Sequence, residues 1–288
     1  MALYFVISGF LSYPSVARSK SFRDYLKKKE TRILPMYYVS LLLTFIVGGI
    51  ILKEYPISWQ WIYHVFFLNM FVPAKEWMWW NSVNFFWTMP AFVAWYVISY
   101  PLLRRIDNAK KAALATLILV VAVLPLKRTM LLWASEKFVN WNFFCLIYVF
   151  MFGVLAYFIV KEKRYLTGVI YSIGIGIAGI AVGNRSGFFA FGLVFYLLIV
   201  FLSSTSIKWS NSGTNKLIKS LSDITYSTYL THWFVLKLVG GFLNKVPWQL
   251  AYILFVTTSA VLGYICYRFI ENPFAKYFRT LGSGSASS

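Results

Sequence analysis

His232 is the side chain in this sequence best suited to move a proton. It sits in Tyr226-Ser227-Thr228-Tyr229-Leu230-Thr231-His232-Trp233, near the middle of an apolar run over 224–243. At helical spacing Thr225, Thr228, Tyr229 and His232 fall near one stripe, which Leu236 continues. The nearest cation, Lys237, lies roughly 140° round the same helix. An ionisable group at that depth is costly and by default marks a functional site, and histidine is the usual general base near neutral pH. A neutral imidazole hydrogen-bonded across a helix bundle accounts for the residue equally well.

A second group is cationic. Arg18, Lys20, Arg23, Lys27, Lys28, Lys29 and Arg32 crowd a short loop between two apolar runs. Several cations at the mouth of a helix suit the phosphates of a nucleotide-like donor. The same charges also serve as a topology anchor, because short basic loops beside membrane helices stay on the cytoplasmic side. His64 lies in an aromatic stretch with Trp59, Trp61 and Asn69, followed by Trp77, Trp79 and Trp80. Such a stretch is either an interfacial aromatic belt or a platform for a sugar ring. The two histidines stand far apart, with no HxxxH, CxxC or acidic cluster beside them, so no metal site is expected. No GxSxG elbow occurs. Ser8-Gly9-Phe10 reads as ordinary helix packing.

These residues need elements to hold them, and composition says which. The chain has 288 residues, 59% of them hydrophobic, 20% aromatic and 13% charged, with a mean hydropathy of +0.65. Soluble domains carry about 25% charged residues. The excess apolar content falls into runs near the ~20 residues that cross a bilayer as a helix. The fold class is therefore all-α, a polytopic transmembrane helical bundle. Cys145 and Cys266 both lie inside apolar runs and give no disulfide or metal signal. The net charge of +19 sits between apolar runs, so orientation explains it and nucleic acid is not an expected partner.

Apolar runs cover 2–16, 34–52, 85–103, 112–126, 138–160, 165–182, 187–202, 224–243 and 250–270. The run 57–74 is broken by Ser58, Gln60, His64 and Asn69. If it does not cross, the positive-inside rule collects 20 of the 28 Lys and Arg on one side; if it crosses, the split is 14 to 14. The expectation is about nine crossings plus one re-entrant or interfacial segment, with the carboxyl end cytoplasmic. Residues 282–288 read as a flexible tail, leaving 1–281 as the membrane domain. The short first run and an outside start both suggest that a helix precedes Met1.

Six segments, in order, resemble the acyltransferase-3 family of integral membrane acyltransferases. Tyr4-Phe5-Val6-Ile7-Ser8-Gly9-Phe10-Leu11 is similar to its F-F-V-x-S-G-F-L helix. Lys28-Lys29-Glu30-Thr31-Arg32-Ile33-Leu34-Pro35-Met36-Tyr37-Tyr38 is similar to its R-R-x-x-R-I-x-P-x-Y stretch. Phe86-Trp87-Thr88-Met89-Pro90 resembles its L-W-F-L-P helix, and Phe152-Gly153-Val154-Leu155-Ala156-Tyr157 its F-x-G-x-x-x-A-Y pattern. Ile224 to His232 resembles I-S-Y-x-x-Y-L-x-H, and Glu271-Asn272-Pro273-Phe274 the closing E-x-P-F. The family's leading helix, with its R-x10-H motif, has no counterpart here, and Pro90, Ala91 and Phe92 stand where many members carry a Glu.

The resemblance implies transfer of an acyl group, typically acetyl, from acyl-CoA to a cell-surface saccharide or lipid-linked glycan in a bacterial plasma membrane. It implies acyl-CoA as co-substrate, with no bound cofactor. Lys28, Lys29 and Arg32 are the expected holders of the CoA phosphates, His232 and Tyr229 the expected catalytic pair, and His64 and Trp87 the expected contacts of the saccharide or glycolipid acceptor. A transporter or non-catalytic membrane module is the alternative, and would show inverted repeats with broken helices.

Overall fold

The structure, a computed structural model, describes residues 1–54, 61–68, 88–134, 136–183, 186–205 and 212–283. Among these every regular element is helical. Five helices are long and apolar enough to cross a membrane: Phe22–Ile51, Ala109–Leu131, Phe138–Glu162, Gly187–Ser204 and Trp248–Tyr277. Three shorter apolar helices, Ala2–Ala17, Thr88–Leu103 and Tyr165–Ala181, lie on three more of the expected crossings. The molecule is a multi-pass membrane protein, and its described residues divide into two compact units.

The first unit comprises Met1–Leu26 and Ile62–Ile207. Its elements are α1 (Ala2–Ala17), the first turn of α2 (Phe22–Thr44), most of α3 (Trp61–Val65), α4 (Thr88–Leu103), α5 (Ala109–Leu131), α6 (Glu136–Trp141), α7 (Phe143–Glu162), α8 (Tyr165–Ala181) and α9 (Gly187–Ser204). α7 is the axis of this unit. It is apolar on every side, the pattern of a helix surrounded by others, and almost all of it from Phe143 to Ile159 is buried. Asn142 starts it by accepting from the Phe144 N–H, and Lys163 ends it in the left-handed conformation.

α1 crosses α7 at two glycines. A Cβ on Gly9 would stand 1.8 Å from the Phe150 carbonyl oxygen, and one on Gly153 would stand 1.8 Å from that of Val6. Two backbones meet here without side chains between them, the close approach that small residues permit in membranes. Around the crossing Phe5, Trp95 and Phe150 stack, with ring centroids 4.7 Å apart for Phe5 and Phe150 and 4.9 Å for Trp95 and Phe150. Trp95 Nε1 donates to Ser12 Oγ at 2.8 Å, and Ser12 in turn donates to the Ser8 carbonyl. Tyr25 and Ser99 share a buried hydroxyl bond of 2.8 Å. Trp95, Ser12, Tyr25 and Ser99 thus find partners in an apolar surround where leaving them bare would cost several kcal/mol each.

The second unit comprises Lys27–Trp61 and Lys208–Ser288. It holds the rest of α2 with its π-helical continuation Phe45–Ile51, then α10 (Ser212–Leu243), α11 (Trp248–Cys266), a π-helical turn Tyr267–Glu271 and α12 (Asn272–Ser283). α10 and α11 pack closely at Gly263, where a Cβ would stand 2.0 Å from Thr228 Oγ1. Tyr226 Oη donates to the Ile33 carbonyl at 2.8 Å, and Lys237 Nζ meets Glu54 Oε1 at 2.7 Å. The segment 33–54 is therefore tied to α10 at two places, and the two run in the same sense.

One sequence expectation is corrected here. The basic stretch is no loop: Phe22 to Thr44 is one helix containing Lys27, Lys28, Lys29, Arg32 and Pro35. Ser21 begins it, its Oγ accepting from the Asp24 N–H at 3.2 Å, while the Asp24 carboxylate accepts from the Lys20 N–H at 3.0 Å. This is a capping box shifted by one residue. Lys and Arg are good helix formers, and long cationic side chains keep their charge in water while their stems can cover apolar surface.

Candidate functional site

The site is built from α2 outward. Lys28 and Arg32 are four residues apart and Lys29 and Arg32 three, so all three cations share one face of α2. The Arg32 side chain is 59% exposed, and its Nε lies 3.6 Å from Glu271 Oε1. Glu271 is buried, at 2% exposure, and its other oxygen accepts from Ser227 Oγ at 2.7 Å. One carboxylate thereby joins α2, α10 and the π-helical turn that ends α11. Next to this knot, the Tyr226 bond to the Ile33 carbonyl fixes the register of α10 against α2.

A buried carboxylate paired with a mostly exposed cation gives a testable division of labour. Glu271→Gln keeps an acceptor for Ser227 and loses only the charge. Removing the charge also removes the cost of burying it, and Arg32 stays solvated, so this variant should melt within a few degrees of the parent. Glu271→Ala also removes the acceptor beneath a buried hydroxyl and leaves a gap, at a cost of about 2–4 kcal/mol. Thermal unfolding of the two purified variants checks the order; equal midpoints for both would show that the Ser227 bond carries no stability.

His232 lies five residues beyond Ser227 on α10, about 7.5 Å along the axis at 1.5 Å per residue. It is half-buried. Its Nδ1 hydrogen-bonds the Tyr229 carbonyl, and the two rings stack with centroids 5.6 Å apart at 26°. A carbonyl can only accept, so Nδ1 carries the hydrogen. The basic nitrogen of the neutral ring is then Nε2, and the ring is held both by its own helix backbone and by the Tyr229 ring. This is the arrangement in which a histidine serves as a proton acceptor with a fixed tautomer.

Of the residues expected from sequence, Lys28, Lys29, Arg32, Tyr229 and His232 fall together in the second unit. His64 falls in the first unit, on the short helix α3, where it is buried. Trp87 lies outside the described residues. Glu271 and Ser227 were not among the expected site residues. The signal for Glu271 was an acidic residue directly abutting the apolar run 250–270; Ser227 had none, since its partner comes from a distant part of the chain.

Three of the six motif segments meet at Glu271, and the segments holding Gly9 and Gly153 meet at the crossing of α1 and α7. Among the described residues no group of His, Cys, Asp and Glu could hold a metal ion. Compared with known sequences, residues 1–268 match a family described as an acyltransferase domain, the acyltransferase-3 family. No curated protein and no solved structure matches the chain.

Proposed function

The chain belongs to the acyltransferase-3 family, and from that premise we propose that it transfers an acyl group, acetyl first, from acyl-CoA to a hydroxyl of a cell-surface saccharide or lipid-linked glycan. Lys28, Lys29 and Arg32 hold the CoA phosphates. The observation that carries this reading is the anchoring of Arg32 by buried Glu271. A guanidinium tethered through Nε still presents its Nη edge, and a fixed fork suits phosphate oxygens.

His232 Nε2 takes the proton of the acceptor hydroxyl as its oxygen bonds to the thioester carbonyl carbon. The C–S bond then breaks and the CoA sulfur leaves as thiolate, to be protonated from the histidine or from water. Tyr229 positions the imidazole through its carbonyl and ring. In this reading the chain crosses a bacterial plasma membrane nine times, with its carboxyl end and the cationic face of α2 in the cytoplasm, where acyl-CoA is made.

Arg32→Ala tests the donor site. Loss of one charge-assisted phosphate contact should weaken acetyl-CoA binding by about 10- to 100-fold, and Arg32→Lys should recover only part of that, since the ammonium lacks the fork. Acetyl-CoA affinity unchanged in a folded Arg32→Ala protein would remove the phosphates from this helix face.

A further inference from the structure

We propose that Ser259 supplies the oxyanion donor of the acyl-transfer step. Its hydroxyl gives a hydrogen bond to the thioester carbonyl oxygen as that oxygen takes up negative charge beside His232. This role deepens the acyltransferase reading above and rests on it.

Hydroxyls inside the helices of this molecule follow a pattern, and two of them break it together. A helical Ser or Thr can donate to the carbonyl one turn back, and Ser12, Thr44, Thr116, Thr129, Thr225 and Thr231 all do so. Thr228 Oγ1 and Ser259 Oγ do not. Each is buried without a hydrogen-bond partner, as is Ser40 Oγ on α2. Buried polar groups are nearly always paired, and an unpaired one costs stability. A catalytic role is one reason such a cost is kept.

Thr228 and Ser259 belong to one helix–helix interface. On α11 the buried residues Ser259, Gly263 and Cys266 recur at i, i+4 and i+7, a single stripe. Gly263 on that stripe lies against α10, since a Cβ there would meet Thr228 Oγ1 at 2.0 Å. The two helices are joined by the short turn 244–247 and run antiparallel. One turn back along α11 is therefore one turn forward along α10, which sets Ser259 against residues 231 and 232. The Thr231 hydroxyl already donates to the Ser227 carbonyl. His232, four residues after Thr228, shares that residue's face of α10. Thr228 lies one turn away, so Ser259 is the hydroxyl level with the imidazole.

Depth adds to the effect. Ser259 stands about halfway between Trp248 and Glu271, about 16–18 Å along the helix from each. Water is scarce at such depth, and a donor aimed at developing charge is worth most where water is excluded. Ser259 is 4% exposed, so its O–H is desolvated before the reaction begins. As the acceptor oxygen bonds to the thioester carbon, the carbonyl π pair moves onto oxygen and accepts from Ser259. When the C–S bond breaks, that pair re-forms the C=O. Ser259 keeps its proton throughout; the proton of the acceptor hydroxyl goes to His232 Nε2.

The test uses the full chain in lipid nanodiscs, with acetyl-CoA as donor and dodecyl maltoside as a membrane-borne sugar acceptor. Ser259→Ala should lower kcat by about 10²–10³-fold, the range for losing one oxyanion donor, with acetyl-CoA affinity within twofold of the parent. Its thermal midpoint should equal or exceed the parent's, because the hydroxyl removed had no partner to lose. Ser259→Cys, with a weaker donor, should fall between the two in kcat. A hydroxyl that serves the fold alone would give the opposite pair, parental kcat with a lowered midpoint. Parental kcat in Ser259→Ala overturns the proposal, and so does a loss of kcat accompanied by an equal loss of acetyl-CoA affinity or by a fall in midpoint. A parent chain that releases no CoA thiol from acetyl-CoA removes the acyltransferase reading and this role with it. An active parent with an indifferent Ser259→Ala removes the oxyanion role alone.

Discussion

Gly153→Leu is expected to abolish the folded first unit. The Cβ position of this residue lies 1.8 Å from the Val6 carbonyl oxygen and 2.6 Å from the Phe10 nitrogen. Both are backbone atoms of α1, so no rotamer change can make room. Either α1 lifts off α7 or the substitution is not accommodated. Lifting α1 would unstack Phe5 from Phe150 and draw Ser12 away from Trp95. Overpacking a well-filled core costs about 1–3 kcal/mol when side chains can adjust; here they cannot, and the cost should exceed that range. Alanine, a single methyl, should already lower the thermal midpoint strongly, and Gly9→Ala should behave alike because its Cβ meets the Phe150 carbonyl at the same 1.8 Å. Gly174→Ala is the control, since a Cβ there meets nothing within 4 Å and alanine is the better helix former. Size-exclusion profiles and thermal unfolding in detergent decide it, and a Gly153→Leu protein that elutes and melts like the parent would refute the close crossing.

The second large effect is on turnover. His232→Gln should lower kcat by about 10²–10⁴-fold, the range for losing a positioned general base. Glutamine can preserve a polar contact to the Tyr229 carbonyl but has no basic nitrogen, so the fold should survive and the acetyl-CoA affinity should stay within twofold. That split separates His232 from Arg32, whose loss should act on donor affinity first. Single-turnover acyl transfer measured beside donor binding gives both quantities. A His232→Gln enzyme with parental kcat would assign the proton transfer to another group.

How far these residues could be foreseen varies with the distance over which they act. The helical fold was written in runs of apolar residues near bilayer length, a local signal that needs no tertiary knowledge. Gly9 and Gly153 stood in two of the motif segments, and Ser8-Gly9-Phe10 read as helix packing, but their pairing could not be foreseen, because it takes the crossing of two helices to make a missing side chain matter. The charged start of α2 was taken for a loop on the strength of its lysines, although Ser21 and Asp24 at capping-box spacing pointed to a helix beginning there. Charge reports solvent contact, and a helix leaving the membrane satisfies that as well as a loop does. Arg32 was singled out by the basic cluster and the family resemblance, whereas Glu271, which holds it, became evident only when α2, α10 and the end of α11 were brought together.

The π-helical turn Tyr267–Glu271 bears on what sequence change this protein can absorb. Such a turn fits an additional residue into the ladder, and each residue in an α-helix advances the side chain by about 100°. Losing one residue between 267 and 271 would regularise the coil and swing the carboxylate away from Ser227 and Arg32, even with every functional side chain kept. In this segment a one-codon deletion is therefore more damaging than most substitutions, because it resets the spacing between the final apolar run and its acidic terminus.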